Sequence, residues 1–208
     1  MGVVEPFTRR LERYYRVHAR IYDTTRWAFL FGRRELIERC AGQQPVPKNI
    51  LEVGCGTGKN LMALANVFGQ AQIVGMDLSA AMLARARHKL SDHGERIDLL
   101  QQAYGQDSPS GKSYDLLVFS YTLSMINPGW EQVIERAYQD LNPGGIIAVA
   151  DFNDTRHGWF KRWMACNHVK MDKHLWPVLE ARFQSLFLNT RPAYGGLWSY
   201  FLFIGEKT

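Results

Sequence analysis

The sequence predicts an α/β fold built on a mostly parallel, doubly wound sheet, and three observations carry that expectation. Short apolar runs recur at Ile50–Val53, Ile73–Met76, Ile97–Leu100, Leu116–Phe119 and Ile146–Ala150. Between them, stretches 58–68, 79–90 and 130–141 have helical spacing of apolar residues. A glycine-rich turn, Gly54-Cys55-Gly56-Thr57-Gly58, follows the first run. Strands covered on both faces read as unbroken apolar runs, and right-handed crossovers wind them into an open sheet with ligands at its carboxyl edge.

The elements follow in order. Residues 3–41 read as helical, with Leu11, Tyr14, Tyr15, His18, Ile21 and Tyr22 at three- and four-residue spacing and a second helix from about Trp27 to Cys40. Gly42 to Pro47 breaks helix twice and serves as a linker. After Asp151 the strand–helix rhythm stops. A long helical region from Thr155 to about Phe187 is expected, then extended pieces at Leu188–Tyr194 and Leu197–Gly205 joined by a turn at Gly195-Gly196. The 208 residues are expected to form one domain: a helical cap (1–42), a ligand-binding core (49–151) and a closing region (152–208).

Composition narrows the class. Hydrophobic residues are 46% and charged residues 22%, as in a globular protein. Three cysteines without CxxC spacing argue against a disulfide framework and a zinc site, so no metal is expected. The sequence shows neither the apolar core of a secretory leader nor an unbroken membrane-spanning stretch, which leads us to expect a cytoplasmic protein, with room for peripheral membrane association. Net charge is +5, and residues 1–40 hold nine arginines and no lysine against five acids. Such a segment suits an anionic membrane surface, a nucleic acid or an acidic ligand, or is simply a solvated helix face.

The glycine turn sits where a strand meets a helix, so its backbone can lie against a ligand beside free amide donors. A phosphate-binding loop needs Gly-x4-Gly-Lys-Ser/Thr; here Val53 and Asn60 occupy the first and last of those positions. A dinucleotide fingerprint needs Gly-x-Gly-x-x-Gly, and Lys59 stands where its third glycine belongs. What remains is Glu52-Val53-Gly54-Cys55-Gly56-Thr57-Gly58, which resembles the first motif of class I S-adenosylmethionine-dependent methyltransferases. Nineteen residues beyond Gly58, Gly75-Met76-Asp77 ends the second run. An acid there can accept hydrogen bonds from ribose hydroxyls, and Leu78-Ser79 then starts a capped helix. Gln102-Ala103 stands where many relatives carry Asp-Ala, and its amide oxygen can still accept from an adenine amino group. Ser120 and Tyr121 close the fourth run, and Leu141-Asn142-Pro143-Gly144-Gly145 resembles the family's turn into the fifth strand.

The resemblance implies the Rossmann-like fold of that family, a mostly parallel seven-stranded sheet with a C-terminal antiparallel hairpin and an added N-terminal helical segment. It implies S-adenosylmethionine as cofactor, S-adenosylhomocysteine as product, and cofactor contacts from Glu52, Gly54, Cys55, Gly56, Gly58, Asp77, Leu78, Gln102, Ala103 and Ser120.

The acceptor must be read from outside these motifs. Tyr14 to Arg33, with Tyr22-Asp23, Arg26-Trp27 and Phe31-Gly32-Arg33, resembles the bacterial N-methyltransferases of betaine-lipid synthesis, which trimethylate a diacylglyceryl-homoserine lipid. That resemblance implies a lipid head-group amine as acceptor, and it extends loosely to phosphatidylethanolamine. His18 and Tyr22, four residues apart, could relay the amine proton, with Tyr121 as a further catalytic candidate. Tyr22, Trp27, Tyr121, Trp130, Trp159 and Trp198 could cage a quaternary ammonium or simply pack the core. Arg26 and Arg33 are equal candidates for a head-group carboxylate, with Trp27 beside them. Basic residues among Trp159, Phe160, Trp163 and Trp176 could rest on an anionic bilayer or cap the substrate. A soluble amine, phenol or quinone precursor is the alternative acceptor. Nucleic acid is not the expected partner: Ser120-Tyr121-Thr122-Leu123 lacks the Asn/Asp-Pro-Pro-Tyr/Phe run, which argues against DNA adenine methylation, while charge alone leaves RNA open.

Overall fold

The structure, a computed structural model, describes residues 29–93, 95–105 and 113–208. The strands are β1 (Asn49–Val53), β2 (Gln72–Asp77), β3 (Ile97–Gln101), β4 (Tyr114–Ser120), β5 (Leu141–Asp154), β6 (Gln184–Ala193) and β7 (Trp198–Glu206). They form a seven-stranded sheet in the order β3-β2-β1-β4-β5-β7-β6, with β7 antiparallel to both neighbours and β1 to β5 parallel. This is the predicted doubly wound sheet, closed by a C-terminal hairpin. The order reverses between β1 and β4, so the carboxyl ends of those strands flank the crevice where such sheets take ligands.

The described helices are α1 (Arg33–Ala41), α2 (Lys59–Val67), α3 (Ala80–Lys89), α4 (Trp130–Asp140), α5 (Gly158–Cys166) and α6 (Leu175–Arg182). On one face of the sheet, α1, α2 and α3 bury Leu36, Ile37, Leu61, Leu64, Leu83 and Ala86 against Ile50, Ile73 and Leu116. On the other, α4 and α6 bury Val133, Ile134, Ala137 and Leu179 against Leu51, Leu117 and Val149. Burying a side chain of this kind contributes about 1.5–3 kcal/mol, which is why strands five to seven residues long suffice here. In α4 the buried residues Trp130, Val133, Ile134 and Ala137 fall at i, i+3, i+4 and i+7, a single helical stripe. In α3 the hydroxyl of Ser79 accepts from the amide of Met82, and Arg87, His88 and Lys89 face the negative end of the helix dipole.

Three expectations are corrected. The helix expected from Trp27 begins only at Arg33, because Gly32 has φ 75° and Phe29, Leu30 and Phe31 precede it in non-helical backbone. That aromatic run packs instead on β7: Phe31 lies 5.9 Å from Tyr200 and 5.8 Å from Trp198, ring to ring. The helix expected from Thr155 to Phe187 is two short helices, α5 and α6, with His168 and Lys173 at positive φ between them. Its last residues are strand, since Gln184 to Ala193 pair with β7 along its whole length and tertiary pairing overrides local preference. The fifth strand extends beyond Ile146–Ala150 at both ends, and its added residues Asp151 to Asp154 reach past the sheet's carboxyl edge toward β7.

Candidate cofactor and acceptor site

The turn after β1 is held by β2. The amides of Gly54 and Cys55 both donate to the carbonyl of Met76, at 2.8 and 3.0 Å, and the amide of Gly58 donates to Cys55. Asp77, at the end of β2, ties the turn to the next helix: one carboxylate oxygen accepts from the amide of Gly56 at 2.9 Å, the other from Ser79 at 2.8 Å. The ribose acid expected from the sequence is therefore also the brace of the glycine turn. Glycine is required at 54 on two counts. Its φ is 72°, and a Cβ there would lie 2.5 Å from the Thr122 hydroxyl oxygen, which itself donates to the carbonyl of Val53. A Cβ on Gly56 would meet nothing within 4 Å, so that backbone faces open space that a ligand can fill.

Polar groups converge on this edge with bonding capacity left over. Glu52 is buried at 1% exposure. Asn60 of α2 donates to its Oε1 at 2.8 Å, and its Oε2 has no hydrogen-bond partner. Burial pushes the Glu52 carboxyl up to about 8, partly opposed by the Asn60 bond and the charge of Arg33. Gln102 Nε2, beyond β3, and Ser120 Oγ, at the end of β4, are likewise buried without partners. Buried polar atoms are seldom left unpaired unless a ligand or water serves them. An adenosine with an amino-acid tail presents a ribose, an adenine and an ammonium. The carboxylates of Asp77 and Glu52 can accept from the ribose and the ammonium, and Gln102 Nε2 can donate to an adenine ring nitrogen. Leu78 and Ala103 flank Asp77 and Gln102, with the Leu78 carbonyl accepting from Gln101 at 3.4 Å. The side chain of Cys55 is buried in the core, so only its backbone is offered.

The end of β4 has a more constrained chemistry. Tyr121 has φ 56°, is 1% exposed, and donates its hydroxyl to the carbonyl of Phe31 at 2.9 Å. Burial raises its pKa well above that of a free phenol, so its proton stays in that bond. Its ring meets Phe152 edge-on at 4.7 Å. Arg33 is half-buried, donates Nε to the carbonyl of Leu30, and places its charge near both Glu52 and Tyr121.

The structure thus brings Glu52, Gly54, Cys55, Gly56, Gly58, Asp77, Leu78, Gln102, Ala103, Ser120, Tyr121 and Arg33 to one edge of the sheet. His18, Tyr22, Arg26 and Trp27 lie outside the described residues. Of the proposed cage aromatics, Trp198 is 1% exposed in the core and Trp130 packs beneath the edge, whereas Trp159 is 65% exposed. Three residues were missed from sequence: Asn60, Thr122 and Asp151. Asp151 is fully buried, accepts from the amides of Ser124 and Phe152, and has a pKa raised by burial to about 6. A carboxylate ending the apolar run Ile146–Ala150 was its one visible signal. Among the described residues no group of His, Cys, Asp or Glu could hold a metal.

A family model described as a methyltransferase domain matches residues 50–145. The carboxy-S-adenosyl-L-methionine synthase of Campylobacter lari is 36% identical over 108 residues, 51% of this chain and 45% of that protein. The trans-aconitate 2-methyltransferase of Variovorax paradoxus is 36% identical over 107 residues, 50% of this chain and 39% of that protein. The chain spans less than half the length of these relatives. In fold it resembles the 1,6-didemethyltoxoflavin-N1-methyltransferase of Burkholderia thailandensis, solved with bound S-adenosylhomocysteine. Their TM-score is 0.77 at 13% identity, over 100% of this chain and 92% of that one. Residues 50–145 are therefore similar to a methyltransferase domain in sequence, and the whole chain shares the fold of the solved 1,6-didemethyltoxoflavin-N1-methyltransferase.

Proposed function

We propose that this protein methylates the amine nitrogen of a lipid head group, converting diacylglyceryl-homoserine in successive steps to a trimethylated betaine lipid. One observation carries the lipid half of that reading. Trp159, Trp163, Tyr194 and Phe31 are 65%, 48%, 53% and 37% exposed; Phe29 joins Trp163 and Tyr194, its ring 6.1 Å and 6.2 Å from theirs, Phe31 lies against Tyr194, and Trp159 joins Trp163 through Phe160. Exposed Lys161 and Arg162 stand between the two tryptophans on α5. Amphipathic aromatics interleaved with cations suit the interface of an anionic bilayer. That surface is continuous with Phe31, which Tyr121 holds by its carbonyl beside the cofactor edge. No helix among the described residues is long and apolar enough to cross a membrane, so contact would be peripheral.

When bound, S-adenosylmethionine supplies a methyl group made electrophilic by its sulfonium. The residues of this chain do the rest. Asp77 would accept from the ribose, Gln102 would meet the adenine, and the unpartnered oxygen of Glu52 would take the ammonium, which favours ionising a carboxyl that is otherwise protonated at neutral pH. Ser120 Oγ, unpartnered where β4 ends, would turn toward the reacting atoms. Arg33 would offer its guanidinium to a head-group carboxylate. Tyr121 acts as a positioning residue, fixing the aromatic run that borders the acceptor. Methyl transfer needs the acceptor in line at about 3–3.5 Å, so this fixing is itself catalytic work.

The relative named for trans-aconitate favours a second reading, a soluble small-molecule acceptor. Phosphatidylethanolamine is a third acceptor compatible with the same surface. Incubation with radiolabelled S-adenosylmethionine and separated lipid and aqueous extracts distinguishes them. Label in a lipid with a betaine head group is expected. Label in a choline-type lipid would shift the acceptor to phosphatidylethanolamine, and label confined to the aqueous fraction would overturn the lipid reading.

A further inference from the structure

Beyond β5 the chain crosses back over the carboxyl edge of the sheet before entering α6. The amide of Lys170 donates to the carbonyl of Ser124, just past β4, at 2.9 Å, and the amide of Lys173 donates to Asn153, at the end of β5, at 3.0 Å. These two bonds fix the segment ending in His174. His174 Nδ1 contacts the carboxylate of Asp172, and the imidazole side chain is 12% exposed. Its Nε2 is buried without a hydrogen-bond partner. The ring packs edge-on against Trp130, 4.8 Å between centroids. A buried imidazole bonded at one nitrogen only bears an uncompensated desolvation cost at the other, the situation of a group awaiting a ligand.

We propose that His174, oriented by Asp172, is the proton acceptor for the methyl acceptor's nitrogen, and that the imidazole and the Trp130 ring packed against it line the acceptor subsite. This rests on the methyltransferase reading above. Each methylation that starts from the ammonium form of the acceptor needs one proton removed: the N–H bond breaks, the proton passes to Nε2, and the electron pair left on nitrogen forms the new N–CH3 bond as the methyl–sulfur bond breaks and its electrons stay on sulfur as the thioether. The resulting imidazolium is held against Asp172, then returns its proton to water. For this, His174 must be neutral before reaction, with Nδ1–H donated to Asp172 and a lone pair on Nε2. The groups acting on it agree with that state. Burial lowers its pKa, Asp172 raises it, Lys170 lowers it, and Glu131 of α4 raises it, leaving it below the ordinary histidine value. Trp130 adds an aromatic wall for the cation that each transfer creates. The dyad escaped sequence reading because Asp172 and His174 lie in a stretch read as helix, where residues two apart face opposite sides.

The test needs no acceptor. The full-length protein, labelled with 15N, is titrated with pH while its imidazole nitrogens are followed by NMR, once saturated with S-adenosylmethionine and once with S-adenosylhomocysteine. The two differ by one positive charge at the sulfur. The His174 signal is assigned from the spectra of H174Q and, independently, of D172N. A unit charge in the cofactor site lowers the pKa of His174 in the first complex relative to the second, by about one unit for a separation on the order of 10 Å at an effective dielectric constant near 20. Equal His174 pKa values in two formed complexes would overturn the subsite while leaving the methyltransferase reading standing. Failure of both compounds to bind would overturn the reading and the subsite together.

Discussion

Glu52 offers the most quantitative test of how the edge is built. Its folded-state pKa is about 8 against an ordinary 4.5, mainly because burial disfavours its charge. Below pH 4.5 both folded and unfolded chains hold the proton and nothing changes. Between 4.5 and about 8 the unfolded chain releases a proton that the folded one keeps, so stability falls as pH rises, and the loss is complete above the folded pKa. At about 1.4 kcal/mol per unit the whole window is worth about 5 kcal/mol, and the span from pH 5.5 to 7.5 about 3 kcal/mol. Glu52→Gln keeps an oxygen for the Asn60 bond but cannot ionise, so it should remove this slope. Urea denaturation of both proteins across that span, without cofactor, isolates the effect. The raised pKa of Asp151 acts in the same direction in both proteins, at its lower value of about 6, and cancels in the difference. The variant should gain on the wild type as pH rises, by roughly 3 kcal/mol at most. Parallel pH profiles would refute the buried, protonated carboxyl. Cofactor affinity should move the other way, since the variant offers the ammonium no charge.

Two further outcomes follow from the same edge. Tyr121→Phe removes the bond to the Phe31 carbonyl and should lower stability by about 1 kcal/mol. Its kcat/KM should fall several-fold while S-adenosylhomocysteine affinity is unchanged; an equal loss of that affinity would place Tyr121 in the cofactor site instead. Replacing exposed Trp159 and Trp163 together by serine should leave the thermal midpoint within a few degrees but abolish pelleting with anionic vesicles. Retained pelleting would move the membrane contact elsewhere.

The β–α core was legible because each strand there is covered on both faces and leaves an unbroken apolar run. The glycine turn and Asp77 were legible because φ 72° at Gly54 and a strand-end acid admit few residue types. What was lost depended on distant pairing. Gln184 to Phe187 carry no strand pattern of their own and become strand by pairing with β7. Phe29 to Phe31 read as helix but are drawn onto Trp198 and Tyr200. Thr122 and Asn60 matter through neighbours far along the chain, Val53 and Glu52, and nothing local distinguishes them. The acceptor side was read most from His18, Tyr22, Arg26 and Trp27, which lie outside the described residues, whereas the His174–Asp172 pair forms only when the segment after α5 crosses the sheet.

We propose that the glycine turn and Asp77 form the S-adenosylmethionine site. Calorimetric titration of S-adenosylhomocysteine into the wild-type protein and Asp77→Ala tests it most directly. One charged hydrogen bond from the ribose to Asp77 would be worth about 1.5–3 kcal/mol, so the variant should bind roughly 10- to 100-fold more weakly while retaining a cooperative thermal transition. Equal affinity in the two proteins, or no binding by the wild type, would contradict the account.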